Sequence, residues 1–120
     1  MTRILAVDDS PSMREMVRIA LTGAGFEVAQ AVDGQEALDM ARKSVFDLVL
    51  SDVNMPQMDG IELIRALRSE AAYRHTPILM LTTEASLDRK REGKEAGATG
   101  WIVKPFDPAQ LVATMQRVLR

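Results

Sequence analysis

The chain has 120 residues, no cysteine, and 17 acidic against 15 basic side chains for a net charge of -2. That length suits one domain with a core of its own, with no room for a second module. The balanced charge argues against nucleic-acid binding, the lack of cysteine excludes disulfide and thiol chemistry, and the apolar run Ile4 to Val7 is too short for a signal peptide or a membrane span, so a soluble cytoplasmic protein is expected.

Five strand-like runs recur: Ile4 to Val7, Phe26 to Ala29, Leu48 to Leu50, Ile78 to Leu81 and Trp101 to Val103. Helical segments separate them. In the first, Met13, Met16, Val17, Ala20 and Leu21 form one apolar stripe, and either Ser10-Pro11 or Ser12 with Glu15 can open it. The second follows Asp33-Gly34 and should bury Ala37, Leu38 and Ala41. The third follows Asp59, with Glu62 completing a capping box, and should bury Ile61, Ile64 and Leu67. The fourth, Ala85 to Ala96, is mostly charged and carries Gly93 inside, which costs about 1 kcal/mol relative to Ala, so it is expected to be the least stable helix. The fifth opens at Asp107-Pro108, with Gln110 placed for a capping box, and presents Leu111, Met115, Val118 and Leu119. Strict alternation of strand and helix predicts an α/β fold with a parallel sheet covered on both faces. The eight methionines read as core filler, and His75 receives no role.

In a parallel sheet all strand carboxyl ends lie on one edge, where open α/β sheets bind their ligands. Asp8 and Asp9 follow the first run, Asp52 the third, Thr82-Thr83 the fourth and Lys104-Pro105 the fifth. Two carboxylates about 4 Å apart repel by roughly 4 kcal/mol at an effective dielectric of about 20, so the cluster calls for a cation. Oxygen ligands suit Mg²⁺, and zinc is disfavoured without cysteine.

The motifs Val7-Asp8-Asp9-Ser10, Asp33-Gly34, Asp52 to Gly60, Leu81-Thr82, Gly97 to Trp101 and Lys104-Pro105-Phe106, in that order, make the chain resemble a response-regulator receiver domain. It most resembles the single-domain chemotaxis regulators of CheY type, over essentially all 120 residues. The resemblance implies a flavodoxin-like (βα)5 fold, strand order 2-1-3-4-5, and a cis Lys104-Pro105 bond. It implies that Asp52 accepts a phosphoryl group from a histidine kinase. Mg²⁺ would be held by Asp9, Asp52 and the Asn54 carbonyl, with Asp8 acting through water, and Thr82 and Lys104 would bind the phosphoryl oxygens. The chain would be a monomeric switch in a two-component system rather than a turnover enzyme, signalling to a downstream protein such as a flagellar motor switch protein. Phosphate-sink and phosphorelay roles are the alternatives.

Trp101 stands where the family usually has Tyr or Phe. Arg89, Lys90, Arg91 and Lys94 make the fourth helix either a partner face or a solvated one, and Asn54 and Glu84 should flank the path of hydrolytic water. Two other classes compete. A nucleotide- or flavin-binding enzyme would need a phosphate cradle where Asp8-Asp9 stands, and a metal-dependent phosphatase would need a substrate pocket or cap that the sequence does not offer.

Overall fold

The structure, a computed structural model, describes residues 2–55, 57–83 and 87–119, with only the backbone of Leu87. Five parallel strands, β1 (Arg3–Val7), β2 (Glu27–Ala31), β3 (Leu48–Asp52), β4 (Ile78–Thr82) and β5 (Gly100–Val103), form one sheet in the order β2-β1-β3-β4-β5. This is the flavodoxin-like order expected. Helices α1 (Pro11–Gly23), α2 (Gly34–Lys43), α3 (Gly60–Arg68), α4 (Leu87–Ala96) and α5 (Pro108–Val118) connect or follow the strands, with a short 3-10 turn at Ala71–Tyr73.

The sheet divides the core in two. Leu5, Val7, Val49, Ile78 and Met80 face a layer built mainly from α2 and α3, with Ala96 of α4 at its margin. Ile4, Ala6, Leu48, Leu50, Leu79 and Leu81 face α1 and α5, which contribute Val17, Leu21, Leu111 and Met115. β4 is buried throughout and β3 nearly so, as continuous apolar runs inside a parallel sheet should be, whereas the edge strands β2 and β5 are mostly half-exposed.

Edge position explains the one displaced strand. β2 begins at Glu27 and runs on to Ala31, two residues past the expected end, because an edge strand accepts Glu27 and Gln30 without needing an apolar run. The other strands also reach one or two residues further than their apolar cores, bringing Asp52 and Thr82 into the sheet itself. Of the expected stripes, Val17, Leu21, Leu111 and Met115 are buried, while Met13, Ala20, Val118 and Leu119 pack partly buried at the edge of the same cluster.

Helix starts are fixed at the edge where the strands end. Ser10 Oγ accepts from the Met13 N–H at 3.3 Å, which settles the start of α1 with Pro11 in its first turn. Asp33 accepts from the Glu36 N–H at 2.8 Å, and Asp59 and Glu62 form the full capping box. Asp107 caps α5 through the Ala109 N–H rather than through the position that a box with Gln110 needs.

Candidate functional site

The carboxyl ends of β1 and β3 are neighbours, with Val7 paired to Ser51, so Asp8 and Asp52 emerge side by side. Carboxylate oxygens of Asp8, Asp9 and Asp52 all lie within 4.8 Å of one another. From the far end of the sheet Lys104 reaches in, its Nζ 3.1 Å from Asp8 Oδ2 and 3.5 Å from Asp52 Oδ1. The peptide bond after Lys104 is cis.

These groups are held, not merely adjacent. Asp8 is buried, its Oδ1 accepting from the Ser10 N–H at 2.9 Å and its backbone carbonyl from the Arg14 guanidinium at 2.7 Å. Asp52 Oδ1 accepts from the Val53 N–H at 2.8 Å, and among the described residues no hydrogen bond reaches its other oxygen. Oδ1 is thus held by the Val53 backbone and faces Lys104. Thr82 is buried at the end of β4, where its carbonyl accepts from the Lys104 N–H at 2.7 Å. Asp9 is exposed at the mouth of the cluster, and Asn54 sits on an exposed bend two residues past Asp52.

Burial pushes the Asp52 carboxyl above its usual range. The Lys104 ammonium pulls it back, Asp8 adds to the rise, and the Val53 amide opposes it. Three carboxylates against one ammonium leave the site short of positive charge. Its all-oxygen donor set fits a small hard divalent cation such as Mg²⁺.

Two glycines allow close backbone approaches around the site, Gly34 to Met58 and Gly60 to Asp52. A Cβ on Gly34 would overlap the carbonyl oxygen of Met58, which accepts from the Gly34 N–H at 3.2 Å. A Cβ on Gly60 would overlap the carbonyl oxygen of Asp52 itself. The sequence marked both glycines, in the Asp33-Gly34 pair before the second helix and at the end of the Asp52 to Gly60 motif, but not the close contacts they make, and it did not single out Arg14. The available signal for Arg14 was a charged residue bordering the apolar stripe of α1, one turn from its start.

The other candidates separate. Trp101 is half-buried on β5, paired with Met80 across β4, and Lys90 Nζ lies 5.5 Å from its ring centroid. Arg89 turns toward Glu92 at 3.2 Å and Asp59 at 4.0 Å. Arg91 and Lys94 are exposed. Asp88, Glu92 and Glu95 interleave these bases, so α4 is a mixed face rather than a basic one. Glu84, and the start of the fourth helix expected at Ala85, lie outside the described residues.

Residues 4–116 match the response regulator receiver domain, and the chain belongs to that family. It is similar to the chemotaxis protein CheY-3 of Vibrio cholerae, at 42% identity over 117 residues that span 97% of this chain and 90% of that protein. The solved structure of Vibrio cholerae chemotaxis protein CheY4 superposes with a TM-score of 0.95 at 57% identity, covering 98% of each chain. The chain is also 43% identical to the DNA-binding response regulator MtrA of Mycolicibacterium smegmatis, covering 98% of this chain but 50% of that protein. Among the described residues no helix is long and apolar enough to cross a membrane.

Proposed function

We propose that the chain is a phosphorylation-controlled switch of a two-component system, acting in the cytoplasm and most like the chemotaxis regulators among its relatives. The observation that carries the reading is Asp52, anchored through Oδ1 beside Lys104 and sharing a carboxylate cluster with Asp8 and Asp9. The second Asp52 oxygen attacks phosphorus in line. An oxygen–phosphorus bond forms while the phosphorus–nitrogen bond to the histidine of a kinase breaks, and the imidazole leaves. Lys104 swings from the carboxylates to the equatorial phosphoryl oxygens, and the Thr82 hydroxyl donates to another. Asp9, Asp52 and the Asn54 carbonyl would hold Mg²⁺, with Asp8 acting through water. When bound, the ion supplies the positive charge that lets a phosphoryl group enter a cluster of carboxylates.

Release is hydrolysis. Water attacks phosphorus past Asn54, the acyl–phosphate link breaks, and phosphate leaves a free Asp52 carboxylate. Self-hydrolysis resets Asp52 after each transfer, and in this reading the chain works as a switch whose chemistry ends there, not as a turnover enzyme. Output would pass to a downstream protein through α4, β5 and α5, and the resemblance to chemotaxis regulators points to a flagellar motor switch protein as that partner. Phosphate-sink and phosphorelay roles share the same site and differ in what is bound.

Incubation with Mg²⁺ and acetyl phosphate tests the reading. One phosphoryl group per chain, absent when Mg²⁺ is chelated, is expected. Rapid catalytic consumption of the donor would instead indicate a phosphatase, and absence of both would overturn the reading. Capture of partners with and without beryllofluoride then separates a binding output from a sink.

A further inference from the structure

Between the end of β4 and the inner side of α4 lies a cavity of about 10 Å³ lined by Val53, Met80, Thr82, Arg89, Lys90 and Trp101. That is space for about one water molecule. The cavity joins Thr82, at the acidic site, to Trp101, at the outer edge of the sheet. With so little slack, a displaced Thr82 side chain repacks the cavity wall instead of moving into empty space.

Two contacts define that wall. The Met80 sulfur lies 2.5 Å from where a Cβ on Gly93 would be, so α4 comes this close to the sheet because residue 93 has no side chain. The second contact is Lys90 over Trp101, at 5.5 Å from the ring centroid, within the range where the ring quadrupole attracts an ammonium. Lys90 and Trp101 are both half-buried. α4 offers little else, since among the side chains described on it Ala96 is the buried apolar one.

We propose that Lys90 is a positioning residue that pins α4 to Trp101 in the resting arrangement and so sets how tightly the distant acidic site holds a phosphoryl group. The proposal rests on the reading of Asp52, Thr82 and Lys104 given above. A contact present only in the resting arrangement lowers the affinity of any ligand that selects the other arrangement, by the factor that the contact itself contributes. For a partly exposed ammonium–indole pair that factor is about two to five.

Trp101 is the single tryptophan of the chain and reports on its own surroundings. The first arm needs no phosphoryl chemistry: acrylamide quenching of Trp101 fluorescence should rise in Lys90→Gln and stay at the wild-type level in Lys90→Arg, which keeps the cation. In the second arm, calorimetric titration with beryllofluoride and Mg²⁺ should show Lys90→Gln binding about two- to five-fold more tightly than wild type, and Lys90→Arg binding as wild type does. Unchanged quenching in Lys90→Gln, or altered quenching with unchanged affinity, overturns the proposal. A wild type that binds no beryllofluoride overturns the phosphoryl reading and the affinity half of this proposal with it, while the quenching arm still decides whether Lys90 pins Trp101.

Discussion

Gly60 is packed directly on Asp52: its N–H donates to the Val53 carbonyl at 2.8 Å, and a Cβ at position 60 would overlap the Asp52 carbonyl oxygen and stand 3.0 Å from the Val53 Cα. The first turn of α3 therefore sets the backbone from which the acceptor carboxylate projects. Gly60→Ala should destabilise the fold by about 1–3 kcal/mol, the range for overpacking against groups that cannot move aside. Chemical denaturation measures this, and a loss below about 0.5 kcal/mol, the scatter of neutral surface changes, would show that the loop yields freely.

Gly93 gives the opposite of its helix propensity. Alanine is favoured over glycine inside a helix by about 1 kcal/mol, yet the new methyl group would meet the sulfur of Met80, which is itself buried. Gly93→Ala is expected to destabilise the wild type and to stabilise a Met80→Ala background. A double-mutant cycle in urea tests this, and equal effects in the two backgrounds would exclude the contact as the reason for glycine.

The raised pKa of Asp52 fixes the sign of a pH effect. A carboxyl that holds its proton more tightly folded than unfolded adds stability below its ordinary titration range, and that contribution disappears as pH rises through the folded value. At neutral pH without metal, the ionised cluster is a burden on the fold. Asp52→Asn should therefore melt a few degrees higher than wild type at pH 7, with the difference shrinking as the pH falls into the acid range. A wild type at least as stable as the variant at pH 7 would contradict the assigned cause.

Arg68 ties α3 to two loops. Its guanidinium donates to the carbonyls of Gly97 at 3.0 Å, Tyr73 at 2.7 Å and Thr76 at 2.6 Å, and burial lowers its pKa. A lysine keeps the charge but not the planar fork that reaches several acceptors at once. Arg68→Lys should cost about 2 kcal/mol or more, because partly buried carbonyls lose charged donors. A melting temperature unchanged in Arg68→Lys would reduce the fork to surface decoration.

Much of the fold was legible because β1, β3, β4 and β5 each contain a short apolar run and α1, α2, α3 and α5 open on capping residues. Asp52, Asp8 and Lys104 could be placed together on one argument, that parallel strands end on one edge. What escaped depends on contacts distant in sequence. Gly93 looks like a weakness in α4 until Met80 is seen beneath it, and Arg68 looks like an ordinary surface base on α3. The four bases of α4 left a partner face and a solvated one open, and the structure adds that Arg89 faces Glu92 while Lys90 lies over Trp101. Charge counting in sequence does not see which side of a helix each charge occupies.

Intact mass after incubation with Mg²⁺ and acetyl phosphate, run in parallel on wild type and Asp52→Asn, tests the central claim most directly. A carboxylate oxygen can attack phosphorus and an amide is a poor nucleophile, so the wild type should gain one phosphoryl group and the variant none. A variant that takes up a stable phosphoryl group at the wild-type rate would contradict the assignment of Asp52.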